Sequence, residues 1–373
     1  MAESDQGHAL AARFRAHGGE QIHLYGYAMR GLADDLEAGG PTREVVRGYE
    51  DAPAGSVIQL RLLAGIFRLV LTHPAPGLEP LYPCLGGTAP ASGAWPVMRE
   101  VVAAHVPELQ DALAIAPQTN EVGRSVALLV GLADLAAASG YRRFRVLELG
   151  ASAGLNLLMS RFRISGKGWA WGPADSPVQL PDAVEGSLRL PAGMEIVAAR
   201  GCDLDPVDPT TPEGRLRLTS FVWPFDLHRH ARLAGALELA AVEPPVVDRA
   251  SAADWLGLQL AGEFATGSPE VRAPQSGWFG ADPDPTVLTV VWHSVTQLYW
   301  PASELAAVEA TLAEHGRRYQ LAEVGMEYPS HGGTSGERPD VSTRFWAGDG
   351  SSPRERLVGV AHDHGIPVLL TNH

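Results

Sequence analysis

The segment FRVLELGASAGLNLL, Phe144 to Leu158, decides the fold class of this chain. It predicts an apolar strand, a glycine-rich turn and the start of a helix. Within it, residues 150–154 read Gly-Ala-Ser-Ala-Gly, a G-x-S-x-G pattern that is also found at nucleophile elbows. The segment therefore raises two alternatives: a hydrolase with Ser152 as nucleophile, or a loop that holds a small molecule at a helix N-terminus.

The pattern on either side of this segment places it at the start of an α/β domain. Before residue 144 the apolar residues recur at helical spacing, and no convincing strand is found. After it, short apolar runs alternate with helical runs, which is typical of a parallel sheet. We predict a helical N-terminal domain in residues 1–140 and an α/β domain in residues 141–373.

Composition limits the classes of function. The 373 residues carry a net charge of −14, which disfavours nucleic acid as a partner. No run of eighteen apolar residues and no signal-peptide core are present, and the two cysteines form no metal or disulfide pattern. We expect a cytoplasmic enzyme without metal that acts on a small molecule or a peptide. An oligomeric or heteromeric partner stays open.

A serine hydrolase needs an acid and a histidine after the nucleophile, and Asp254 and His293 follow Ser152 in that order. Two features disfavour this alternative. Several strands should precede the elbow, whereas the preceding residues have a helical pattern. The oxyanion-loop string His-Gly-Gly occurs only at 331–333, long after Ser152.

A dinucleotide site is also disfavoured. The G-x-G-x-x-G fingerprint would need glycine where Ser152 and Leu155 stand. Glu148 would direct a carboxylate towards the pyrophosphate. S-adenosylmethionine suits the segment better, because it carries an ammonium and a sulfonium but no phosphate. Glu148 would attract its amino acid end, while Gly150 and Gly154 would let the backbone pass close to the ligand.

VLELGASAGLN resembles the first motif of class I S-adenosylmethionine-dependent methyltransferases. This resemblance implies a Rossmann-like sheet, with the helical residues 1–140 as a cap that forms the substrate domain. More closely, ELGASAGLN, GCDLDPVDPT, SFVWP and VVWHS resemble a bacterial family known as domain of unknown function 2332. The residues implied at the cofactor are Glu148, Gly150, Ala151, Ser152, Gly154, Asn156, Asp203, Asp254 and Trp255. Asp203, or Asp205 as second choice, would bind the ribose hydroxyls, and Asp254 the adenine amino group beside Trp255.

Each of these assignments has a structural alternative. Glu148 can be a strand-end charge paired with Arg124 or Arg145, and Asp203 can cap a turn. Asp254 can be the N-cap of a helix starting at Trp255. The aromatic residues of WAWG and SFVWP can be packing residues. The long gap between Gly150 and Asp203 must be absorbed by a tryptophan-rich insertion at 166–181.

The remaining candidates face the methyl acceptor. In-line methyl transfer needs alignment and exclusion of water, and needs a base only if the nucleophile carries a proton. We predict His293 as the base, Tyr299 and Glu327 as further catalytic groups, and Gln297 on the substrate. The polar run QTNEVGR either caps the next helix through Thr119 or Asn120, or covers the pocket with Gln118, Asn120 and Glu121.

Two other functions stay open beside methyl transfer. The first is a methyltransferase-like scaffold that catalyses an elimination or cyclisation, or that serves as a partner subunit. The second is the serine hydrolase. The sequence does not identify the acceptor.

Overall fold

The computed structural model describes residues 2–73, 77–118, 120–261, 284–329 and 337–371. It divides into two compact units. Unit 1 contains Met1–Thr119 and Thr211–Ala231, and unit 2 contains Asn120–Thr210 and Arg232–His373. This division differs from the sequence-based boundary at 140, because residues 120–140 belong to unit 2 and residues 211–231 belong to unit 1.

The elements are numbered in chain order. The α-helices are α1 (Ala2–Gly18), α2 (Leu24–Glu37), α3 (Pro41–Val45), α4 (Ile58–Thr72), α5 (Ala94–Ala104), α6 (Val106–Leu113), α7 (Ser125–Ser139), α8 (Pro212–Ser220), α9 (Leu227–Val242), α10 (Ala252–Ala261) and α11 (Ala302–Gly316). The strands are β1 (Arg143–Leu149), β2 (Arg163–Gly166), β3 (Trp169–Trp171), β4 (Gln179–Leu180), β5 (Val184–Glu185), β6 (Glu195–Asp203), β7 (Val247–Arg249), β8 (Val287–Ser294), β9 (Leu321–Glu327), β10 (Asp340–Trp346), β11 (Arg354–Ala361) and β12 (Val368–Leu370).

Unit 1 is helical, as the sequence predicts for most of the N-terminal region. Its core is formed by apolar side chains of α1, α2, α4, α5 and α6, among them the fully buried Phe14, Leu32 and Phe67. Trp223 of the SFVWP segment packs edge-on against Tyr25, with ring centroids 5.7 Å apart. This segment therefore contributes to packing in unit 1.

Unit 2 is built on a sheet with the order β5-β12-β11-β10-β9-β8-β1-β6-β7 within the described residues. β7, β6, β1, β8 and β9 pair in parallel. Antiparallel ladders join β9 to β10, β10 to β11 and β11 to β12. The predicted α/β fold with a large, mostly parallel sheet is confirmed.

The sheet is covered by helices on both faces. Trp255 and Leu256 of α10 and Leu312 of α11 form a buried cluster with Leu147 and Val291 of the central strands. On the other face, the apolar helix α7 packs against β9 and β10. The window 122–139 is long and apolar enough to span a membrane, but 72% of it is buried inside the fold, as in the core helix of a soluble protein.

Four local predictions need correction. The segment after β1 forms a 3₁₀ helix, Leu155–Arg161, rather than an α-helix. The helix after QTNEVGR begins at Ser125, and Glu121 caps the 3₁₀ turn before it, so Asn120 is not its N-cap. Thr119, the other N-cap candidate, lies outside the described residues. The sequence analysis also missed β11 and the small β3-β2-β4 sheet, in which β3 and β4 of the insertion pair with β2.

Gly131 tests the packing of α7 on the sheet. A Cβ there would lie 2.5 Å from Cγ1 of Val324, a short β-branched side chain that cannot move away. Gly131→Ala should lower the free energy of unfolding by about 1–3 kcal/mol through overpacking, measured by denaturant unfolding. The matched control is Gly257→Ala in α10, where a Cβ would meet no atom of the described residues within 4 Å. It should stabilise by roughly 0.5–1 kcal/mol, and equal effects of both substitutions would contradict the packing.

Candidate functional site at the carboxyl edge of the parallel strands

The site lies where β1 and β8 are neighbours. From β1 the chain continues to β6 and β7 on one side, whereas β8 leads to β9 on the other. This is a topological switch point, the place where open α/β sheets bind ligands beyond the carboxyl ends of their strands. The register pairs Leu149 with both Cys202 and His293. The residues that follow these three positions therefore share one edge of the sheet.

The loop after β1 requires its glycines for conformation and packing. Gly150 and Gly154 both have φ of 72°, and Ser152 has φ of 55°. A Cβ at Gly150 would lie 2.3 Å from Oγ1 of Thr296, and one at Gly154 would lie 2.6 Å from Cγ2 of Val247. Contacts within the protein therefore require glycine at both positions. The sequence analysis explained the same two glycines by the close approach of a ligand.

The backbone N–H groups of this loop are largely used inside the protein. Four of them donate hydrogen bonds, with these acceptors and N···O distances: Ala151 to Cys202 O (2.9 Å), Ser152 to Asp203 Oδ2 (2.8 Å), Gly154 to Ala151 O (2.7 Å) and Leu155 to Asn120 Oδ1 (2.8 Å). A phosphate-binding loop needs several such groups directed at the anion. The arrangement therefore does not favour a phosphate ligand.

Glu148 is a buried carboxyl at the end of β1, with 2% of its surface exposed. The indole of Trp292 donates to its Oε1 at 3.2 Å. No described residue completes a hydrogen bond with Oε2. Burial raises the pKa of Glu148 to about 8, against the smaller lowering effects of Trp292, Asn156 and the charge of Arg124. The predicted pairing with Arg124 is therefore limited to a long-range effect of charge.

Asp203, at the end of β6, caps the loop after β1. Its Oδ2 accepts from the Ser152 N–H at 2.8 Å, and its Oδ1 accepts from the Asp205 N–H at 2.9 Å. The turn-capping alternative from the sequence analysis thus describes a real contact. Each carboxylate oxygen has a second lone pair, so both oxygens keep the capacity to accept from hydroxyl groups of a ligand.

Asn120 and Glu121 secure the segment that precedes α7. Asn120 accepts from the Leu155 N–H, and Glu121 accepts from Gly123 N–H at 3.1 Å and from Arg232. Asn156 accepts from the Ser125 hydroxyl at 2.8 Å. These contacts attach the segment 120–125 to the loop after β1. Gln118 belongs to unit 1.

His293, in β8, lies between two glutamates of β9. Its Nδ1 is 2.9 Å from Oε1 of Glu327, and its Nε2 is 3.1 Å from Oε1 of Glu323. Burial alone would lower the pKa of His293, but both carboxylates outweigh it and raise the pKa to about 10. The ring is then an imidazolium at neutral pH with both nitrogens engaged. This arrangement does not support the predicted role of His293 as a base.

The imidazole that a hydrolase would need from His293 is already engaged at both nitrogens by Glu327 and Glu323. Asp254, the predicted acid, is exposed in the first turn of α10. The His-Gly-Gly string at 331–333 lies outside the described residues. The geometry around Ser152 thus gives no support to a Ser-His-Asp triad formed by these residues.

Glu327 holds the loop that follows β8. Besides His293, it accepts from the Thr296 N–H at 3.1 and 3.2 Å and from the Gln297 N–H at 3.3 Å. Gln297 begins a 3₁₀ turn that ends at Tyr299, a residue that is 68% exposed. Of the groups predicted to face the acceptor, Tyr299 is therefore the most accessible, whereas Glu327 accepts from backbone amides of the loop after β8.

The adenine-side prediction needs a correction at Trp255. This residue is fully buried, and its indole N–H donates to Oδ2 of Asp248 at 2.6 Å. It is a core residue of α10 and offers no face to a base. Asp254 is not an N-cap either, because the helix begins at Ala252 and the Asp254 N–H donates to the Ser251 hydroxyl.

A family model covers almost the whole chain. Residues 9–271 and 278–369 match the model of DUF2332, which is described as an uncharacterised protein conserved in bacteria. The chain belongs to this family. No curated protein and no solved structure shows significant similarity to the chain. The family resemblance inferred from ELGASAGLN and the later motifs is confirmed.

Sequence reasoning missed Thr296, Glu323 and Arg344. Glu323 and Glu327 flank Gly325 at a spacing of two in the string EVGME, so they share one face of β9. Gly325 is the cross-strand partner of His293, and its missing side chain leaves room for the ring. The E-x-G-x-E pattern beside a strand-end histidine was the available signal.

The charge on His293 is directly testable. The raised pKa predicts that ¹⁵N-histidine NMR spectra show an imidazolium through pH 8. A histidine with a raised folded pKa stabilises fully below its unfolded pKa of about 6.5. This stabilisation is then lost as pH rises through about 10. The excess stability of wild type over His293→Gln should therefore be largest below about pH 6.5 and shrink above it. A neutral ring at pH 7 would overturn the assignment.

Proposed function

We propose that this protein is an S-adenosylmethionine-dependent methyltransferase that acts on a small-molecule or peptide acceptor by in-line transfer. The observation that carries the proposal is the carboxyl of Glu148. It is buried beside the glycine-rich loop at the topological switch point, and its Oε2 has no hydrogen-bond partner among the described residues. A buried carboxyl oxygen without a partner costs free energy that a cationic ligand group would recover.

The described residues fit the different parts of this cofactor. Glu148 would take the ammonium of the amino acid end, and Asp203 has lone pairs for the ribose hydroxyls. Asp254, exposed after β7, would accept from the adenine amino group. The N–H groups of the loop after β1 that donate within the protein are not available to a phosphate, which fits a ligand without one. These features favour a cofactor that is cationic at one end and polar but neutral in its middle.

The strand order supports a Rossmann-like core for this function. Numbered in chain order among themselves, the five adjacent parallel strands β7-β6-β1-β8-β9 have the order 3-2-1-4-5. This is the order in which the two halves of a Rossmann sheet diverge around a ligand site. The antiparallel strands β10, β11 and β12 extend the sheet beyond β9.

The chemistry left to the protein is alignment. The cofactor supplies a methyl group already activated by its sulfonium. The protein has to hold the acceptor in line and exclude water. Tyr299 and Gln297, on the 3₁₀ turn after β8, are the residues we place on the acceptor side. The engaged nitrogens of His293 favour an acceptor that needs no base from this residue.

The engaged nitrogens of His293 also support the alternative function. A scaffold that binds the cofactor but catalyses an elimination or cyclisation, or that serves a partner, would also need no imidazole base at this edge. Turnover distinguishes the two. Methyl transfer produces S-adenosylhomocysteine, whereas the alternatives leave the methyl group in place.

Calorimetric titration with S-adenosylmethionine and S-adenosylhomocysteine tests the cofactor. We expect micromolar binding of both, weakened about ten- to hundredfold in Glu148→Gln and Asp203→Asn, because each loses a charge-assisted hydrogen bond. The matched control is Glu195→Gln. Glu195 is an exposed carboxylate at the opposite end of β6, paired with Arg143. Failure of the wild type to bind either ligand would refute the proposed function.

Proton release gives a second, independent test of Glu148. With a pKa of about 8, its carboxyl is mostly protonated at neutral pH. An ammonium ligand favours the carboxylate, so binding should release a proton. Affinity for S-adenosylhomocysteine should rise by up to about tenfold per pH unit between about pH 5.5 and 7.

Titrations in phosphate and in Tris, whose ionisation enthalpies differ, check this release directly. The heat of binding should depend on the buffer for the wild type and should not for Glu148→Gln. A buffer-independent heat for the wild type would exclude a proton-coupled Glu148.

A further inference from the structure

Five charged side chains form a continuous chain through unit 2, from its surface to the loop after β8. They are, in order, Glu309, Arg344, Glu323, His293 and Glu327. Glu309 is 41% exposed at its side chain, whereas Glu323 and His293 are 6% and 4% exposed. The chain thus begins at solvent on α11 and ends at the candidate site.

We propose that Glu323 and Arg344 are positioning residues that act through His293 and Glu327 on the backbone amides of Thr296 and Gln297. They thereby fix the loop after β8 against the glycine-rich loop. This inference rests on the proposed function for its effect on cofactor affinity. Its structural part stands on the contacts alone.

The strand register explains why these groups meet. Arg344 of β10 is the cross-strand partner of Glu323 of β9. Its guanidinium donates through Nε to Glu323 and makes a second, bidentate pair with Glu309 at 2.7 and 2.8 Å. The fork with Glu309 holds the guanidinium in one orientation, and this directs its Nε–H at Glu323. Glu323 is therefore fixed from one side by Arg344.

His293 passes this constraint to Glu327. The ring is held at Nε2 by Glu323 and at Nδ1 by Glu327, so its orientation depends on both. Glu327 in turn accepts from the amides of Thr296 and Gln297. Removing one member of a buried charge chain leaves its neighbours uncompensated. Glu327 would then lose the partner that orients it.

The loop held in this way contacts the candidate cofactor loop. A Cβ at Gly150 would lie 2.3 Å from Oγ1 of Thr296, so the two loops touch with no space to spare. Any shift of Thr296 is transmitted to Gly150, which directly follows Leu149 at the end of β1. Glu323 and Arg344 can therefore affect a ligand at Glu148 and Asp203 without touching it.

Hydrogen exchange of the loop amides, followed by mass spectrometry of peptides that cover 294–300, tests the proposal on the full-length protein. Glu323→Gln and Arg344→Met should each speed exchange at Thr296 and Gln297 by more than about tenfold, because Glu327 loses its orientation. Arg344→Lys, which keeps the charge, should lie closer to the wild type. Unchanged exchange in both Glu323→Gln and Arg344→Met would overturn the proposal.

The matched control is Asp248→Asn. Asp248 forms a bidentate pair with Arg200, at 2.7 Å for both bonds, on the β6–β7 side of the same sheet. This variant breaks a comparably buried ion pair and should lower the melting temperature, but should leave exchange in 294–300 at the wild-type rate. An equal increase in exchange in Asp248→Asn would show general destabilisation and would refute the positioning role.

The affinity for S-adenosylhomocysteine separates this inference from the proposed function. If the wild type binds, Glu323→Gln and Arg344→Met should weaken binding about tenfold and Asp248→Asn should not. If the wild type does not bind, the proposed function fails, while the exchange rates still decide whether Glu323 and Arg344 position the loop.

Discussion

The parallel pairing of β1 with β8 is the constraint on which the candidate site depends. It sets Leu149 opposite His293 and so brings the loops after both strands to the same edge. Because the chain diverges from these two strands in opposite directions, no further strand of the described residues covers the edge between them. The positive φ of Gly150 and its contact with Thr296 follow from this pairing, since two loops must leave adjacent strands side by side.

The sequence predicted the strands of this edge because they are buried on both faces. Uniformly apolar runs such as the one in β8 have a strong signal that does not depend on distant residues. The 3₁₀ helix after β1 was missed because it does depend on a residue that is distant in the sequence. The N–H of Leu155 is satisfied by Asn120, which lies thirty-five positions earlier in the chain. Local periodicity carries no information on such a partner.

The role of His293 shows the same limit at the level of chemistry. The sequence around a histidine at the end of a strand looks the same whether the residue serves as a base or is a buried imidazolium. The difference is made by Glu323 and Glu327, which β9 places at its two nitrogens. Trp255 is similar: its position after β7 fits a ligand contact, but Asp248 and the core of α10 hold its indole. Sequence patterns located these residues in the fold but not their partners.

Two buried glutamates of the same sheet, Glu323 and Glu148, differ in pKa because only Glu323 contacts cationic side chains among the described residues. Glu323 is buried, and His293 and Arg344 overcome the effect of burial and lower its pKa to about 2. Glu148 is 2% exposed, and burial raises its pKa to about 8 because no such cations contact it among the described residues. This fold therefore does supply compensating cations to a buried carboxyl.

The carboxyl left without compensating cations is the one at the switch point, beside a loop whose N–H groups are already used. A pyrophosphate would find few donors in that loop, and its negative charge would not stabilise the ionised form of Glu148. A ligand with a cationic end would instead supply the compensating positive charge at Glu148. His293 and Arg344 already supply this charge at Glu323. This asymmetry is the physical argument for a cationic cofactor at this edge.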